Sequence, residues 1–137
     1  ENGYDNESNN NVKLLFQPKE SITVNADKDR IYQVLSNLLN NAVKFTKNGT
    51  VTINTSLNNS TDNPNKEVIV TIIDTGAGIS PDVMPKLFSK FVTSSNQGTG
   101  LGLFISKGIV EAHGGKIWAE NNSDGIGAKF SFSLPIT

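Results

Sequence analysis

The chain has 137 residues, 12 basic and 13 acidic side chains and a formal net charge of −1, which is enough length for one domain with an ordinary core. That charge balance excludes a general electrostatic binder of nucleic acid and a basic membrane-surface patch. With no cysteine and a single histidine, disulfides, thiol nucleophiles and histidine-rich zinc sites are excluded as well.

ENGYDNESNN (1–10) is polar and almost without core-forming residues, the composition of a linker remnant. A chain opening on Glu1 and carrying no signal peptide reads as a piece of something longer, with its folded domain over 11–137. VKLLFQ (12–17) and SITVNA (21–26) predict two short strands around Pro18-Lys19-Glu20. From Asp27, an expected N-cap, the apolar positions Ile31, Val34, Leu35, Leu38, Leu39, Ala42 and Val43 follow helical spacing, with Asn48-Gly49 as the expected exit. TVTINTSL (50–57) alternates like a half-buried strand, and EVIVTIID (67–74) reads as a buried one. Residues 76–98 are irregular and hold Pro81 and Pro85. Leu101, Phe104, Ile105, Gly108, Ile109 and Ala112 predict a second helix closed by Gly114-Gly115. KIWAEN and GAKFSFSL predict a final hairpin, and Met84 and Trp118 read as packing residues. No apolar run approaches the roughly 18 residues of a membrane span. The expected fold is an α/β two-layer sandwich, a mixed sheet of about five strands with about three helices on one face.

Three segments carry chemistry. At roughly 100° per residue, Asn37, Asn41 and Lys44 fall within about 60° of one another on the first helix, beside its apolar stripe. A solvated face accounts for any one of these residues. Two amides and an ammonium without an acid also suit a magnesium ion and a phosphate. Next, a hydrophobic strand delivers Asp74 to its end, followed by Gly76 and Gly78. Turn chemistry explains the glycines. A carboxylate ending a buried strand needs donors, and an adenine amino group is one, approached closely over glycine. Third, Gly98, Gly100 and Gly102 run into a helix whose free N–H groups can hold phosphates. The strand that precedes such glycines in a Rossmann unit is absent, and so is a Walker-type Gly-Lys-Ser/Thr.

Together, in this order, the asparagine helix, DTGAG, a Phe-bearing segment and GTGLGL resemble the ATP-binding catalytic domain of sensor histidine kinases, within the GHKL ATPases. The resemblance covers about residues 11–136. It implies that Asn41 ligates Mg²⁺, that Asn37 and Lys44 meet the phosphates, and that Phe45 lies near the adenine. It implies that Asp74 accepts the adenine amine, with Gly76, Gly78 and Ile79 shaping that pocket. Phe88 and Phe91 match the family's phenylalanine box, with Ser89 where an acid is common. Phe91, Gly98, Thr99, Gly100, Leu101 and Gly102 complete the implied nucleotide contacts, and 79–98 becomes a lid over ATP. The resemblance also implies that hydrolytic relatives carry a glutamate base four residues before the magnesium asparagine. Here that position is Asn37, which cannot accept a proton at neutral pH.

The resemblance therefore implies transfer of the γ-phosphoryl group to a histidine on a separate dimerisation domain of the same kinase, with a response regulator downstream. Nucleic acid and membrane contact are not expected, and the domain is expected to be monomeric and cytoplasmic. A GHKL-type serine/threonine kinase and a non-catalytic ATP sensor are the alternatives. His113, in the last turn before Gly114, reads as a structural residue at a helix end.

Overall fold

The computed structural model describes residues 11–17, 24–46, 48–58, 66–90 and 101–136. Asp27 starts helix α1 (Lys28–Lys44), its Oδ1 accepting the N–H groups of Asp29 at 3.1 Å and Arg30 at 3.3 Å. These are orphan donors of a first turn, and such a cap contributes about 1 kcal/mol. The apolar stripe of α1 faces inward as its spacing predicts. Val34, Leu38 and Ala42 are fully buried, while Ile31, Leu35, Leu39 and Val43 pack around them. The helix ends earlier than Asn48-Gly49. The Thr46 hydroxyl folds back onto the Ala42 carbonyl at 2.8 Å and the Thr46 N–H onto Val43, closing the last turn. Asn48 and Gly49 already belong to a strand.

The strands are β1 (Asn11–Gln17), β2 (Asn48–Asn58), β3 (Glu67–Asp74), β4 (Ile117–Asn121) and β5 (Ala128–Pro135), in the sheet order β1-β2-β3-β5-β4. β1 runs parallel to β2 and the other pairs are antiparallel, so the sheet is mixed as expected. Period-two alternation sends Val51, Val68, Ile72, Phe130, Phe132 and Leu134 into the core against the helices. Burying each such side chain contributes about 1.5–3 kcal/mol, enough to fix the register. The other face is more polar, and there the Thr71 and Ser131 hydroxyls meet at 3.3 Å. Trp118, expected to pack, stands on that face and remains 36% exposed. Met84 does pack against the core.

The expected strand at 21–26 is not seen in its described part: Val24, Asn25 and Ala26 lie outside any strand, and 21–23 fall outside the described residues. Val24 packs on the core and the Asp27 N–H is drawn to His113, which turns this stretch toward the helix layer. Two α-helices, not three, occur among the described residues, with one 3₁₀ turn at Met84–Lys86. The two-layer α/β class stands.

Helix α2 (Gly102–Ala112) buries a different face from the one its apolar spacing predicts. Ser106 and Val110 are buried and Leu103 and Ile109 pack beside them, whereas Phe104 is 41% and Ile105 37% exposed. Apolar residues surround this helix, so periodicity does not select a face. The choice falls to α1, against which the small Ser106 fits. His113 joins the far ends of the two helices. Its Nδ1 lies 2.8 Å from the Ile109 carbonyl, and its Nε2 accepts the Asp27 N–H at 3.1 Å. These two bonds fit the ring tautomer that donates from Nδ1 and accepts at Nε2. The lone histidine thus has the structural role its position suggests.

Candidate nucleotide site

The described site residues are distributed along one helix. Toward its C-terminal end, Phe45 caps α1, and its carbonyl oxygen lies directly against Gly76, where any Cβ would collide with it. Further back, the Asn37 amide donates to the Gly102 carbonyl at 3.2 Å and to the Ser106 hydroxyl at 3.1 Å. One contact brings in the end of β3 and the other the first turn of α2. Asn41 lies between them, about one turn from each.

Of the predicted seam, Asn37 is therefore not solvated; it is half-buried and holds the two helices together. Asn41 is half-buried, and its carboxamide has no hydrogen-bond partner among the described residues. Lys44 is exposed, with its ammonium 5.5 Å from the Phe45 ring centroid. Leu101 and Gly102 start α2, which has no side-chain cap and no acid in its first turn. Its leading N–H groups form an electropositive end beside Asn37. Phe91, Gly98, Thr99 and Gly100 lie outside the described residues, as do 91–98 of the expected lid. In its described half, Ile79, Val83, Met84, Leu87 and Phe88 pack on the core.

Asp74 ends β3 and is 4% exposed. Its Oδ1 accepts the Gly76 N–H at 2.9 Å and the Ala128 N–H at 3.1 Å, leaving Oδ2 without a partner among the described residues. Burial pushes its carboxyl above the usual carboxylate range, while these two backbone bonds pull the other way. The folded chain therefore holds this proton more tightly than the unfolded chain does. Stability contributed by the protonated group is complete below the unfolded value of about 3.9 and is lost as pH rises through the folded value. Thermal unfolding followed upward from about pH 4 should show this slope in the wild type and lose it in Asp74→Asn.

Residues not singled out in the sequence complete the site. The Asn122 amide donates to the Asp74 carbonyl at 2.9 Å and to the Ile126 carbonyl at 2.7 Å. Asn121 bonds the Ile79 backbone, and Gly127 presses on Asp74 from the hairpin. In the sequence Asn121 and Gly127 read only as strand ends of the final hairpin and Asn122 as its turn, because their partners lie more than 40 positions away. Ser106 could have been noticed as a polar residue inside an apolar helix. Gly127 has φ +83°, and a Cβ there would strike the Asp74 carbonyl oxygen. Gly127→Ala should therefore lower stability by about 1–3 kcal/mol, read from urea unfolding midpoints; an unchanged midpoint would contradict this packing.

No cluster of three or more histidines and acids occurs among the described residues. A cation here would rest on the Asn41 amide oxygen, phosphate oxygens and water, a donor set that suits a hard ion such as Mg²⁺. A carboxylate oxygen and a carboxamide without partners among the described residues, set beside the start of α2, together fit an adenine nucleotide with its metal.

Comparison with known proteins agrees. Residues 26–137 match the family model described as histidine kinase-, DNA gyrase B-, and HSP90-like ATPase. The sensor protein KdpD of Clostridium acetobutylicum is 44% identical over 133 residues, which cover 93% of this chain and 14% of KdpD. The solved catalytic domain of histidine kinase ThkA superposes with a TM-score of 0.77 at 39% identity, covering 91% of this chain and 79% of that one. ThkA has also been solved in complex with the response regulator protein TrrA; that match has a TM-score of 0.73 at 35% identity and covers 93% of this chain and 35% of that one. Full-length ShkA in complex with AMPPNP gives 0.77 at 32% identity, over 92% of this chain and 26% of ShkA. The chain therefore belongs to the family of histidine kinase-, DNA gyrase B- and HSP90-like ATPases.

Proposed function

We propose that this chain binds Mg-ATP and donates its γ-phosphoryl group to a histidine on a separate dimerisation domain of the same protein, which then passes it to a response regulator. The sensor and kinase names of the relatives support this reading, although the chain spans only 14% of KdpD's length. The observation that carries it is the order along α1: Phe45 against Gly76, then Asn41, then Asn37 against Gly102.

Asp74 Oδ2 accepts the adenine amino group, with Gly76, packed on the Phe45 carbonyl, and Gly78, Ile79 and Phe45 shaping the pocket around the base. The α2 N–H groups and Lys44 hold the phosphates, and Asn41 supplies the amide oxygen for Mg²⁺. An ion held by Asn41 would supply positive charge against the negative charge of the phosphates. Catalysis by this half is positioning and charge stabilisation. The bond to the β,γ-bridging oxygen breaks as the acceptor imidazole nitrogen bonds to phosphorus, and ADP leaves.

Asn37 decides between transfer and hydrolysis. Its amide is engaged with Gly102 and Ser106, and a carboxamide has no basic site for a proton from water. Incubated alone with labelled Mg-ATP, the chain should neither label itself nor release phosphate quickly. Rapid phosphate release would move it to the hydrolytic branch.

No helix among the described residues is long and apolar enough to cross a membrane. We place this domain in the cytoplasm, as a monomer touching neither membrane nor nucleic acid.

A further inference from the structure

The geometry points to Asn121 as a positioning residue for the base pocket, fixing the Ile79 backbone so that the segment from Asp74 to Ile79 keeps its shape; this rests on the nucleotide reading above. Asn121 closes β4 and is exposed, yet both polar atoms of its side chain engage one residue. The Ile79 N–H donates to its Oδ1 at 2.8 Å, and its Nδ2 donates to the Ile79 carbonyl at 3.0 Å. An exposed amide is satisfied by water without such a pair, so its consequence is geometric: it pairs a loop residue as a neighbouring strand would.

The same hairpin holds the segment's other end. Asn122 bonds the Asp74 carbonyl and the Ala128 N–H bonds Asp74 Oδ1. In the middle, Gly76 rests on the Phe45 carbonyl. Gly78, at φ +83°, turns the chain under Asn121, and a Cβ there would lie 3.1 Å from Asn121 Oδ1. The two ends of the segment are thus fixed by one hairpin and its middle by the end of α1, and at Ile79 the fixing atoms belong to one side chain. Asn121 does not touch the nucleotide in this account. It acts through Ile79.

The test is calorimetric titration of the 137-residue chain with ADP, which carries the base, and with inorganic tripolyphosphate, which does not. Asn121→Ala should weaken ADP binding about tenfold and leave tripolyphosphate binding unchanged. Asn121→Asp, which retains an acceptor for the Ile79 N–H, should recover part of that loss. A purely structural role would weaken both ligands alike, and that result overturns the inference, as does unchanged ADP binding in Asn121→Ala. Should Asn121→Ala fail to unfold cooperatively, Asn121→Asp decides. A loss of about threefold confined to ADP supports the inference, and wild-type affinity for ADP overturns it. Failure of the wild-type chain to bind ADP would remove the nucleotide reading and this inference together, whereas the other contrary results remove this inference alone.

Discussion

Asp74→Asn should weaken binding of ATP and ADP by at least the roughly tenfold that 1.4 kcal/mol represents, while the empty protein remains folded. The asparagine oxygen can still accept the N–H groups of Gly76 and Ala128, so the backbone at the end of β3 keeps its bonds. At the position of Oδ2, however, an amide donor replaces an acceptor and faces the donor of the adenine amino group. A hydrogen bond to a carboxylate contributes about 1.5–3 kcal/mol, and the substitution removes it. Relief of the buried charge works in favour of the variant's stability, so a loss of affinity cannot be attributed to unfolding. The same reasoning sets base selectivity. Guanine presents a carbonyl oxygen to the carboxylate and is repelled, so the wild type should prefer ATP to GTP. Equal affinities in calorimetric titration would remove the adenine assignment.

Asn41→Ala should abolish most of the gain in ATP affinity that Mg²⁺ confers. Asn41 sits off the buried stripe formed by Val34, Leu38 and Ala42, and its carboxamide has no partner to lose among the described residues. Alanine is also the better helix former, so helix content should hold or rise. Titrations with ATP, with and without Mg²⁺, separate the two effects. A full magnesium response in the variant would move the ligand elsewhere, and loss of the circular dichroism signal would make Asn41 a structural residue. Asn37, one turn earlier, should behave differently because its amide bonds join α1 to α2.

Where one face of an element is buried and the other is wet, the sequence carries the fold openly. The α1 stripe was legible in this way, whereas β3, which has no exposed residue, was legible from its apolar run. Helix α2 was not, because apolar residues on every side leave the buried face to the partner helix. The stretch at 24–26 was misread because strand-like composition could not reveal that His113 takes the Asp27 N–H. The site divides along the same line. Asp74, Gly76 and the asparagines stood out as residue types in an unusual setting. Asn121, Asn122 and Gly127 did not, because each acts on a segment distant in sequence and has an ordinary local neighbourhood; Ser106 carried one signal, a polar residue within an apolar helix. Even a correct choice of residue did not reveal its bonds. Asn37 was read as lying beside phosphates, and its described partners are a carbonyl and a hydroxyl of α2.

The central claim is transfer to a histidine outside this chain, and mixing tests it most directly. The chain is combined with labelled Mg-ATP and a dimerisation domain carrying its cognate histidine, and the products are checked for acid-labile phosphate. The account predicts acid-labile label on the dimerisation domain. Transfer should be slow, because an unlinked partner loses the effective concentration that a tether provides. Asp74→Asn should reduce the label in step with its loss of ATP affinity. Label on His113 of the isolated chain, or rapid phosphate release with none on the partner, would contradict it.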